Sequence, residues 1–466
     1  MRDFEAIRDE FDLPHDFPAE VLAEAEAIAE RPVERDRADL TDVPFVTIDP
    51  PGSMDLDQAM HLTRAGDGWR VQYAIADLGS VIEMGSAIDA EARRRGQTIY
   101  LPDARVPLHP AVLSEGALSL LPDQTRRAVV WTIDVNTDGT VAEAIVERAV
   151  VKSVARLDYE AVQADLDAGR AHPSIDSLPD LGLARRAHRV HEGAIELGIP
   201  EQGVVPAKNP PRGAAIVPAG GAPSWKLEWR RRVPVDGANA EVSLLTGSVA
   251  AQMMLKARVG VLRTLPEPSR HDVQQFLRRA RAHGVRGDSP AEIIEALHSS
   301  DIGHLALMQD ATSLLRGAGY EAFDGAGPRV RSHAGIGEPY AHVTAPLRRL
   351  VDRYGLEVCL AVSAGREVDA DVRTALPGLP ELMATSDDRA SQVDRAVIDE
   401  VEASSVEVGQ QFPAVIMRAH DHDAVVMLRS PAVVASCEAP HLKPGTRVTV
   451  EVAEVTGRVV KFRLPT

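Results

Sequence analysis

Three aspartates lie close together between Thr47 and Ala59, and their spacing is typical of a site that binds a metal ion. Asp49, Asp55 and Asp57 fall within nine residues, with a Pro-Pro-Gly turn between the first two that excludes a helix. Asp55 and Asp57 are two positions apart, so both point to one face of an extended segment. Oxygen ligands of this kind favour Mg²⁺ or Mn²⁺. We therefore predict that a strand ends near Asp49 and that the three carboxylates converge on one cation site.

The same segment also has an ordinary structural interpretation. Aspartate is common in loops, where it caps helices or forms Asx turns, and Pro-Pro-Gly often marks a surface turn. The flanking sequence favours the metal site, because the aspartates lie between the apolar stretches VPFVTI and VQYAIADL. Unpaired carboxylates in such surroundings are costly unless they hold a cation.

An aromatic residue, Tyr100, directly precedes a Leu-Pro turn. Such a turn would hold the ring in an exposed, rigid position, where it can stack on a nucleic-acid base for about 1 to 3 kcal/mol. The alternative interpretation is an ordinary half-buried strand residue.

Two arginines, Arg348 and Arg349, follow Pro346 in the segment AHVTAPLRRLVD. We predict that a helix opens near Thr344 and Pro346, which would place Arg348 in its first turns. There the guanidinium and the helix dipole both favour a phosphate. Either arginine can equally pair with Asp352, three or four positions along the helix.

Composition is that of a globular protein without a membrane span. The chain has 466 residues, of which 44% are hydrophobic and 26% charged, and no apolar run approaches the roughly 18 residues needed to cross a bilayer. The start of the sequence is acidic rather than signal-like, so we predict a cytoplasmic protein. The net charge of −18 argues against a protein coated in nucleic acid, but it leaves room for a narrow basic channel.

Hydrophobic periodicity and turn residues divide the chain into helical and strand-rich regions. In chain order we predict helices in 1–40, strands in 43–151, helices in 158–200, a loop at 203–223, a central buried helix at 238–262, a helix at 386–403 and about five short strands in roughly the last 60 residues. Five short strands are the number in an OB-type barrel, a fold that often binds single-stranded nucleic acid.

Four segments carry a family resemblance. They are TIDPPGSMDLDQA, YAIADL, RRRGQTIYLPDARVPLHPAVLSEGALSLLP and YAHVTAPLRRLVD. In this order and at these separations they resemble the catalytic RNB domain of the ribonuclease II/R exoribonucleases. The resemblance covers roughly residues 40 to 400. Taken with the element pattern above, it predicts an α+β fold with a small helical segment at 1–40, a mixed RNB domain with a β-sheet and the buried helix at 41–403, and a C-terminal OB-type β-barrel at 404–466.

The resemblance implies a processive 3′→5′ exoribonuclease that threads single-stranded RNA into a buried channel and releases nucleoside 5′-monophosphates. By position, Asp49, Asp55 and Asp57 are similar to the family's Mg²⁺-binding and catalytic carboxylates. Tyr100 is similar to the aromatic residue that stacks near the 3′ end and helps to set the final product length. Arg348 is similar to the arginine that contacts the scissile phosphate.

The same resemblance sets the expected cofactor and partners. We expect two Mg²⁺ ions per site, with Mn²⁺ as a possible substitute, and no nucleotide cofactor. The expected partner is single-stranded RNA, with Arg349 beside Arg348 as a further RNA contact, and we expect a monomer that does not bind membranes.

The sequence departs from the family pattern at several positions. Gln58 stands where a fourth acid is usual, which removes one negative charge but leaves an amide that can still bind a metal. Asp394 stands where a glutamate is often found, and we take it as a candidate RNA contact. Ala345 and Leu350 replace the usual serine and aromatic residue beside the two arginines.

The family's two N-terminal cold-shock barrels are replaced by about 40 helical residues. RNA would then be held by the catalytic domain and the C-terminal barrel, in which Phe412 and Phe462 are the only aromatic residues. We therefore expect the barrel to bind weakly or through backbone contacts.

Two other functions are compatible with parts of this pattern. One is a non-catalytic RNA-binding or regulatory protein, in which Gln58 has compromised the metal site. The other is a metal-dependent transferase that uses Asp55 and Asp57 on a sugar nucleotide, but it does not account for Tyr100 and Arg348 in their segments. Because all three aspartates and Arg348 are present, the exoribonuclease is the favoured prediction.

Overall fold

The computed structural model describes residues 4–34, 36–195, 200–207, 225–230, 233–298, 300–419, 422–439 and 441–465. Within these ranges the protein has an α+β fold with sixteen strands and twelve α-helices. The strands are β1 (Ala38–Ile48), β2 (Gln58–Ala65), β3 (Gly68–Ala76), β4 (Ile99–Tyr100), β5 (Arg105–Val106), β6 (Thr125–Val135), β7 (Val141–Leu157), β8 (Glu201–Pro206), β9 (Trp225–Arg230), β10 (Val259–Thr264), β11 (Gly319–Asp324), β12 (Gln411–Ala419), β13 (Asp423–Leu428), β14 (Val434–Glu438), β15 (Arg447–Thr456) and β16 (Val459–Arg463). The helices are α1 (Glu5–Glu10), α2 (Ala19–Ala29), α3 (Ala87–Arg95), α4 (Tyr159–Asp167), α5 (Leu178–His191), α6 (Pro234–Ala257), α7 (Arg270–Ala282), α8 (Pro290–Glu295), α9 (Ile302–Ala311), α10 (Leu350–Ser363), α11 (Ala370–Ala375) and α12 (Leu379–Ser404).

The sheet of the predicted catalytic region closes into a five-stranded barrel. Its strand order is β1-β2-β3-β6-β7, and β1 completes the ring by pairing in parallel with β7. One face of the strands carries mainly small residues that pack together, with contributions from all five: Phe45, Ala59, Ala74, Val130 and Ala149. Small side chains suit the interior of so narrow a barrel. The opposite face packs against the helices, which makes it the main core of the protein.

The central buried helix is confirmed, but it ends earlier than the sequence indicates. Helix α6 stops at Ala257, because Arg258 takes a left-handed conformation with φ of 59°. Residues 259–264 then form β10, which pairs with the distant β11. The run Val-Gly-Val-Leu continues the apolar character of the helix, so periodicity alone could not separate the two elements.

Other predicted boundaries also shift. The loop predicted at 203–223 begins as strand β8, paired with β9, and residues 208–224 lie outside the described ranges. The helix predicted at 386–403 is longer, since α12 runs from Leu379 to Ser404.

The last five strands form a second closed barrel, in the order β12-β13-β14-β16-β15. Phe462 is fully buried in its interior, so this ring is not available for stacking on RNA. The barrel packs on α9 and on strand β9, where the indole nitrogen of Trp229 donates to the Leu428 carbonyl at 3.2 Å.

Helix α1 braces a short hairpin of the catalytic region. Phe4 and Ile7 are buried against the β4–β5 hairpin and against α12. Arg8 donates from Nη1 to Asp103 in the turn of the same hairpin, at 3.2 Å. Glu10, the last residue of the helix, pairs with Arg458 of the C-terminal barrel at 2.7 Å. One short helix therefore links three parts of the molecule.

No helix within the described residues is long and apolar enough to span a membrane.

Shortening a buried side chain of α1 should destabilise the protein. We expect Ile7→Ala to lower the free energy of unfolding by about 2 to 5 kcal/mol, because it removes buried methyl groups and leaves a cavity. The matched control is Leu22→Ala on the exposed face of α2, which should change stability by less than about 0.5 kcal/mol. Urea unfolding measures both, and equal midpoints would contradict the packing of α1.

Candidate active site

The acidic segment lies at the end of the first barrel, where β1 stops and β2 begins. Strand β1 ends at Ile48, as predicted, and the chain turns at Gly52, whose φ is +88°. Asp49 is 8% exposed and Asp57 only 1% exposed. Two carboxylates are therefore removed from water at one end of the barrel.

Asp57 has one satisfied and one unsatisfied oxygen. Its Oδ1 accepts a hydrogen bond from the backbone N–H of Leu347 at 2.7 Å. Its buried Oδ2 accepts none from the described residues and lies 3.7 Å from Nε of Arg348. Burial raises the pKa of Asp57 to about 7, against the opposing effects of Arg348 and the Leu347 N–H. This oxygen is placed to accept a cation or a proton.

The other two aspartates differ in their partners. Burial raises the pKa of Asp49 to about 6, while the charge of Arg348 lowers it and that of Asp55 raises it. Asp55 accepts hydrogen bonds from the phenol of Tyr100 at 3.2 Å and from Nη1 of Arg105 at 3.0 Å. Both oxygens of Asp55 are therefore occupied by protein donors.

The three carboxylates do not form the compact group that the sequence predicts. Among the residues that the structure describes, no three or more His, Cys, Asp or Glu side chains lie close enough together to hold a metal ion. Asp55 is directed towards Tyr100 and Arg105, whereas Asp57 is directed towards the segment before α10. The donors are nevertheless all oxygens, which is the chemistry that Mg²⁺ favours.

Arg348 lies in a loop, so its predicted place in the first turns of a helix is wrong. Helix α10 begins only at Leu350. Two carboxylates take backbone N–H groups of the preceding loop: Asp352 binds that of Ala345 at 2.7 Å and Asp57 that of Leu347. The Arg348 carbonyl accepts from the N–H of Thr98 at 2.9 Å. These contacts fix the loop from three directions.

The two arginines have different roles in the structure. Arg349 makes a two-point contact with Asp352, at 2.9 and 2.8 Å, which is the i+3 pairing considered from the sequence. That pairing raises the pKa of Arg349. Arg348 faces Asp57 and has a partly exposed side chain. Arg348 is therefore the more available of the two for a phosphate.

Tyr100 projects from the β4–β5 hairpin with 52% of its surface exposed, as the turn after it predicted. It borders a cavity of about 300 Å³ that is lined by Gln97, Thr98, Ile99, Tyr100, Arg348, Arg349, Ala390 and Asp394. Asp394 enters this cavity from α12, and burial together with the nearby Glu201 raises its pKa. The fold thus brings together Tyr100, both arginines and Asp394, which are far apart in the sequence.

Gln58 has a protein partner that the sequence did not indicate. Its side-chain amide donates from Nε2 to the backbone carbonyl of Thr344 at 2.6 Å. The role of Gln58 as a metal ligand stays a prediction.

Residues 37–357 match the model of the RNB domain. The chain belongs to the RNB family. Residues 410–464 match the RNase II-type exonuclease C-terminal S1 domain, which corresponds to the second barrel.

Curated relatives of this RNB protein are ribonucleases. It is 29% identical over 360 residues to ribonuclease R of Escherichia coli, covering 73% of this chain and 42% of the relative. It is 28% identical over 346 residues to exosome complex exonuclease RRP44 homolog A of Arabidopsis thaliana, covering 71% of this chain and 36% of the relative. The chain thus spans less than half the length of these relatives.

Solved structures confirm the RNB fold. Mycoplasma genitalium RNase R, in complex with ribose-methylated single-stranded RNA, superposes with a TM-score of 0.86 at 19% identity, covering 99% of this chain and 77% of that one. Yeast Ssd1, described as a pseudonuclease, superposes with a TM-score of 0.70 at 17% identity, covering 91% of this chain and 54% of that one. The fold is therefore shared by proteins that differ in activity.

The sequence did not predict some contacts of the RNB site. Arg105 lies within a recognised segment, but nothing in its spacing indicates that it binds Asp55. The amide of Gln97 donates to Asp387 of α12 at 3.1 Å, a pair separated by 290 residues. Asp352 was considered only as an arginine partner, although an acidic side chain in the first turn of a helix is also suited to bind the preceding N–H groups.

The raised pKa values predict how stability depends on pH in the absence of metal. In the unfolded chain both carboxyl groups ionise near pH 4, whereas in the folded protein the pKa is about 6 for Asp49 and about 7 for Asp57. The folded protein therefore holds these two protons to a higher pH than the unfolded chain does. Their effect on the free energy of unfolding is fully stabilising below about pH 4, and this stabilisation is lost as the pH rises through about 7.

Comparison of the wild type with Asp57→Asn isolates this effect, because the amide does not titrate. In urea unfolding with EDTA, the variant should gain stability relative to the wild type by on the order of a few kcal/mol between pH 4.5 and pH 8. Other titrating groups, such as buried His109 with its pKa lowered to about 3, are common to both proteins and cancel. A pH-independent difference would contradict the raised pKa of Asp57.

Proposed function

We propose that this protein is a metal-dependent 3′→5′ exoribonuclease that processively hydrolyses single-stranded RNA and releases nucleoside 5′-monophosphates. The cavity next to the buried carboxylates carries this proposal. It combines the exposed ring of Tyr100 with the partly exposed guanidinium of Arg348, beside the unsatisfied oxygen of Asp57. These groups suit a base, a phosphate and the reacting water, respectively.

The size of the cavity supports attack at a strand end. Its volume of about 300 Å³ is at the lower end of the roughly 300 to 1,000 Å³ of small-molecule sites. Such a space suits one terminal nucleotide. Tyr100 stacks on a base near the 3′ end, and Asp394, which lines the same cavity, is a polar contact for the same nucleotide.

The proposed reaction is hydrolysis of the last phosphodiester bond. Water attacks the phosphorus, the bond to the 3′ oxygen of the preceding nucleotide breaks, and that oxygen takes up a proton. The products are a nucleoside 5′-monophosphate and an RNA one nucleotide shorter. Arg348 stabilises the charge that builds up on the phosphate oxygens. Asp57 lies beside this centre, with one buried oxygen that accepts no hydrogen bond from the described residues.

Mg²⁺, for which Mn²⁺ can substitute, belongs to this proposal, with two ions per site. Asp49, Asp55 and Asp57 would hold the metal, and Asp55 would exchange its hydrogen bonds from Tyr100 and Arg105 for it. Their oxygens match its ligand preference, and one buried Asp57 oxygen accepts no hydrogen bond from the described residues. When bound, the metal supplies positive charge that activates water and neutralises phosphate oxygens. The partner is single-stranded RNA, bound by a monomer.

The first test is digestion of a 5′-labelled single-stranded RNA of about 30 nucleotides, which exceeds the roughly 4 to 16 nucleotides that one OB fold covers. With Mg²⁺, the wild type should shorten the RNA from its 3′ end to a short final product. Asp57→Asn should be slower by at least about 100-fold, since it removes a charged group from the reacting centre, and EDTA should stop the reaction. Products are resolved on a sequencing gel.

The matched control is Asp67→Asn, the same change at an exposed turn of the same barrel, which should keep full activity. Intact RNA in every lane, with binding still seen in a gel shift, would overturn the proposal. That result would instead identify an RNA-binding relative whose catalytic site has lapsed.

The role of Tyr100 predicts a change in product length. Tyr100→Ala should raise KM by about 5- to 150-fold, the equivalent of the 1 to 3 kcal/mol that base stacking contributes, and should lengthen the final product. Tyr100→Phe keeps the ring and loses only the hydrogen bond to Asp55, so its final product should match that of the wild type. Unchanged product length in both variants would exclude a stacking role.

A further inference from the structure

The loop that carries Arg348 is anchored to the start of strand β2 by two consecutive residues. Asp57 accepts from the backbone N–H of Leu347 at 2.7 Å. Gln58 donates from its amide to the carbonyl of Thr344 at 2.6 Å. One contact takes a donor of the loop and the other takes an acceptor, three residues apart, so together they fix both the position and the direction of the loop.

The contact with Thr344 restricts the type of residue at position 58. Thr344 is buried, and its carbonyl oxygen needs a hydrogen-bond donor. The amide of Gln58 provides that donor, with 2.6 Å between its nitrogen and the carbonyl oxygen. An ionised carboxylate at this position has no hydrogen to donate, and its charge would repel the carbonyl oxygen.

The same contact sets the orientation of the amide. Because Nε2 faces the Thr344 carbonyl, the oxygen of the amide is the atom left over for other partners. The half-buried side chain thus donates its hydrogen bond to a backbone carbonyl of the protein itself. This use explains the presence of an amide here without reference to a metal.

We infer that Gln58 is a positioning residue that holds Arg348 in place through the loop 344–349, and that it is not required as a metal ligand. The inference rests on the proposed function for its catalytic consequence, because Arg348 matters there through its contact with phosphate. A guanidinium held beside Asp57 before substrate arrives needs no reorganisation during the reaction. The contribution of the glutamine to the site is therefore to order the loop.

Two variants separate this role from metal binding. Gln58→Met keeps the length of the side chain and removes both the donor and the possible metal ligand. Gln58→Glu keeps the shape, replaces the donor by a carboxylate and restores an acid at this position. Gln72→Met, in the neighbouring strand β3 and outside the contacts of the loop, is the matched control.

Three measurements are made on each full-length protein. Hydrogen exchange of the backbone amides in 345–350 is measured without RNA or metal. Mn²⁺ affinity is measured by electron paramagnetic resonance without RNA, and kcat and KM are measured with single-stranded RNA at saturating Mg²⁺.

We expect both Gln58 variants to exchange the loop amides about tenfold faster and to lower kcat about tenfold, as befits the loss of one buried hydrogen bond. Mn²⁺ affinity of Gln58→Met should stay within about twofold of the wild type, and added Mg²⁺ should not restore kcat of Gln58→Glu. The control should match the wild type in all three measurements.

Other outcomes overturn the inference in distinct ways. Unchanged exchange together with a tenfold loss of Mn²⁺ affinity in Gln58→Met would make Gln58 a metal ligand. Full activity of Gln58→Glu would show that no donor is needed at this position. If the wild type itself does not hydrolyse RNA, the proposed function fails, while the exchange measurement still decides whether Gln58 orders the loop.

Discussion

The structure depends above all on the burial of the Asp57 carboxylate. A carboxylate removed from water must find hydrogen-bond donors or opposite charge, because its desolvation is otherwise too costly. Asp57 meets this need with the N–H of Leu347 and the nearby charge of Arg348. One residue at the start of a barrel strand thereby fixes a loop almost 300 residues away. The other Asp57 oxygen accepts no hydrogen bond from the described part of the chain.

Backbone contacts extend this coupling from the barrel to the wall of the cavity. The N–H of Thr98 donates to the Arg348 carbonyl, and the N–H of Leu350 donates to that of Gly96. The segment that leads into Tyr100 is thus hydrogen-bonded directly to the segment that carries Arg348. The backbone positions from which the Tyr100 ring and the Arg348 guanidinium project are therefore tied together by main-chain hydrogen bonds.

The arginines around the cavity differ in how far their charge is neutralised by carboxylates. Arg349 is neutralised by Asp352 and Arg105 by Asp55, whereas Arg348 approaches Asp57 without forming a hydrogen bond to it. A net charge of −18 would repel RNA at long range, but the local arrangement offers a guanidinium at the cavity. The overall charge therefore says little about the preference of this site, because surface charges are screened within about 10 Å at ordinary ionic strength.

Local patterns in the sequence determined much of this protein. The strand before Asp49, the buried helix and the final five-stranded barrel follow from turn residues and hydrophobic period, and four short segments sufficed to recognise the RNB family. The sequence left open whether Tyr100 is exposed or half-buried. The tertiary structure alone decided the closure of the first barrel, the end of α6, the loop position of Arg348 and the partner of Gln58. Each of these depends on pairing between segments that are distant in the chain. A single sequence contains no signal for such pairing, because propensity and periodicity report only on neighbours within a few turns.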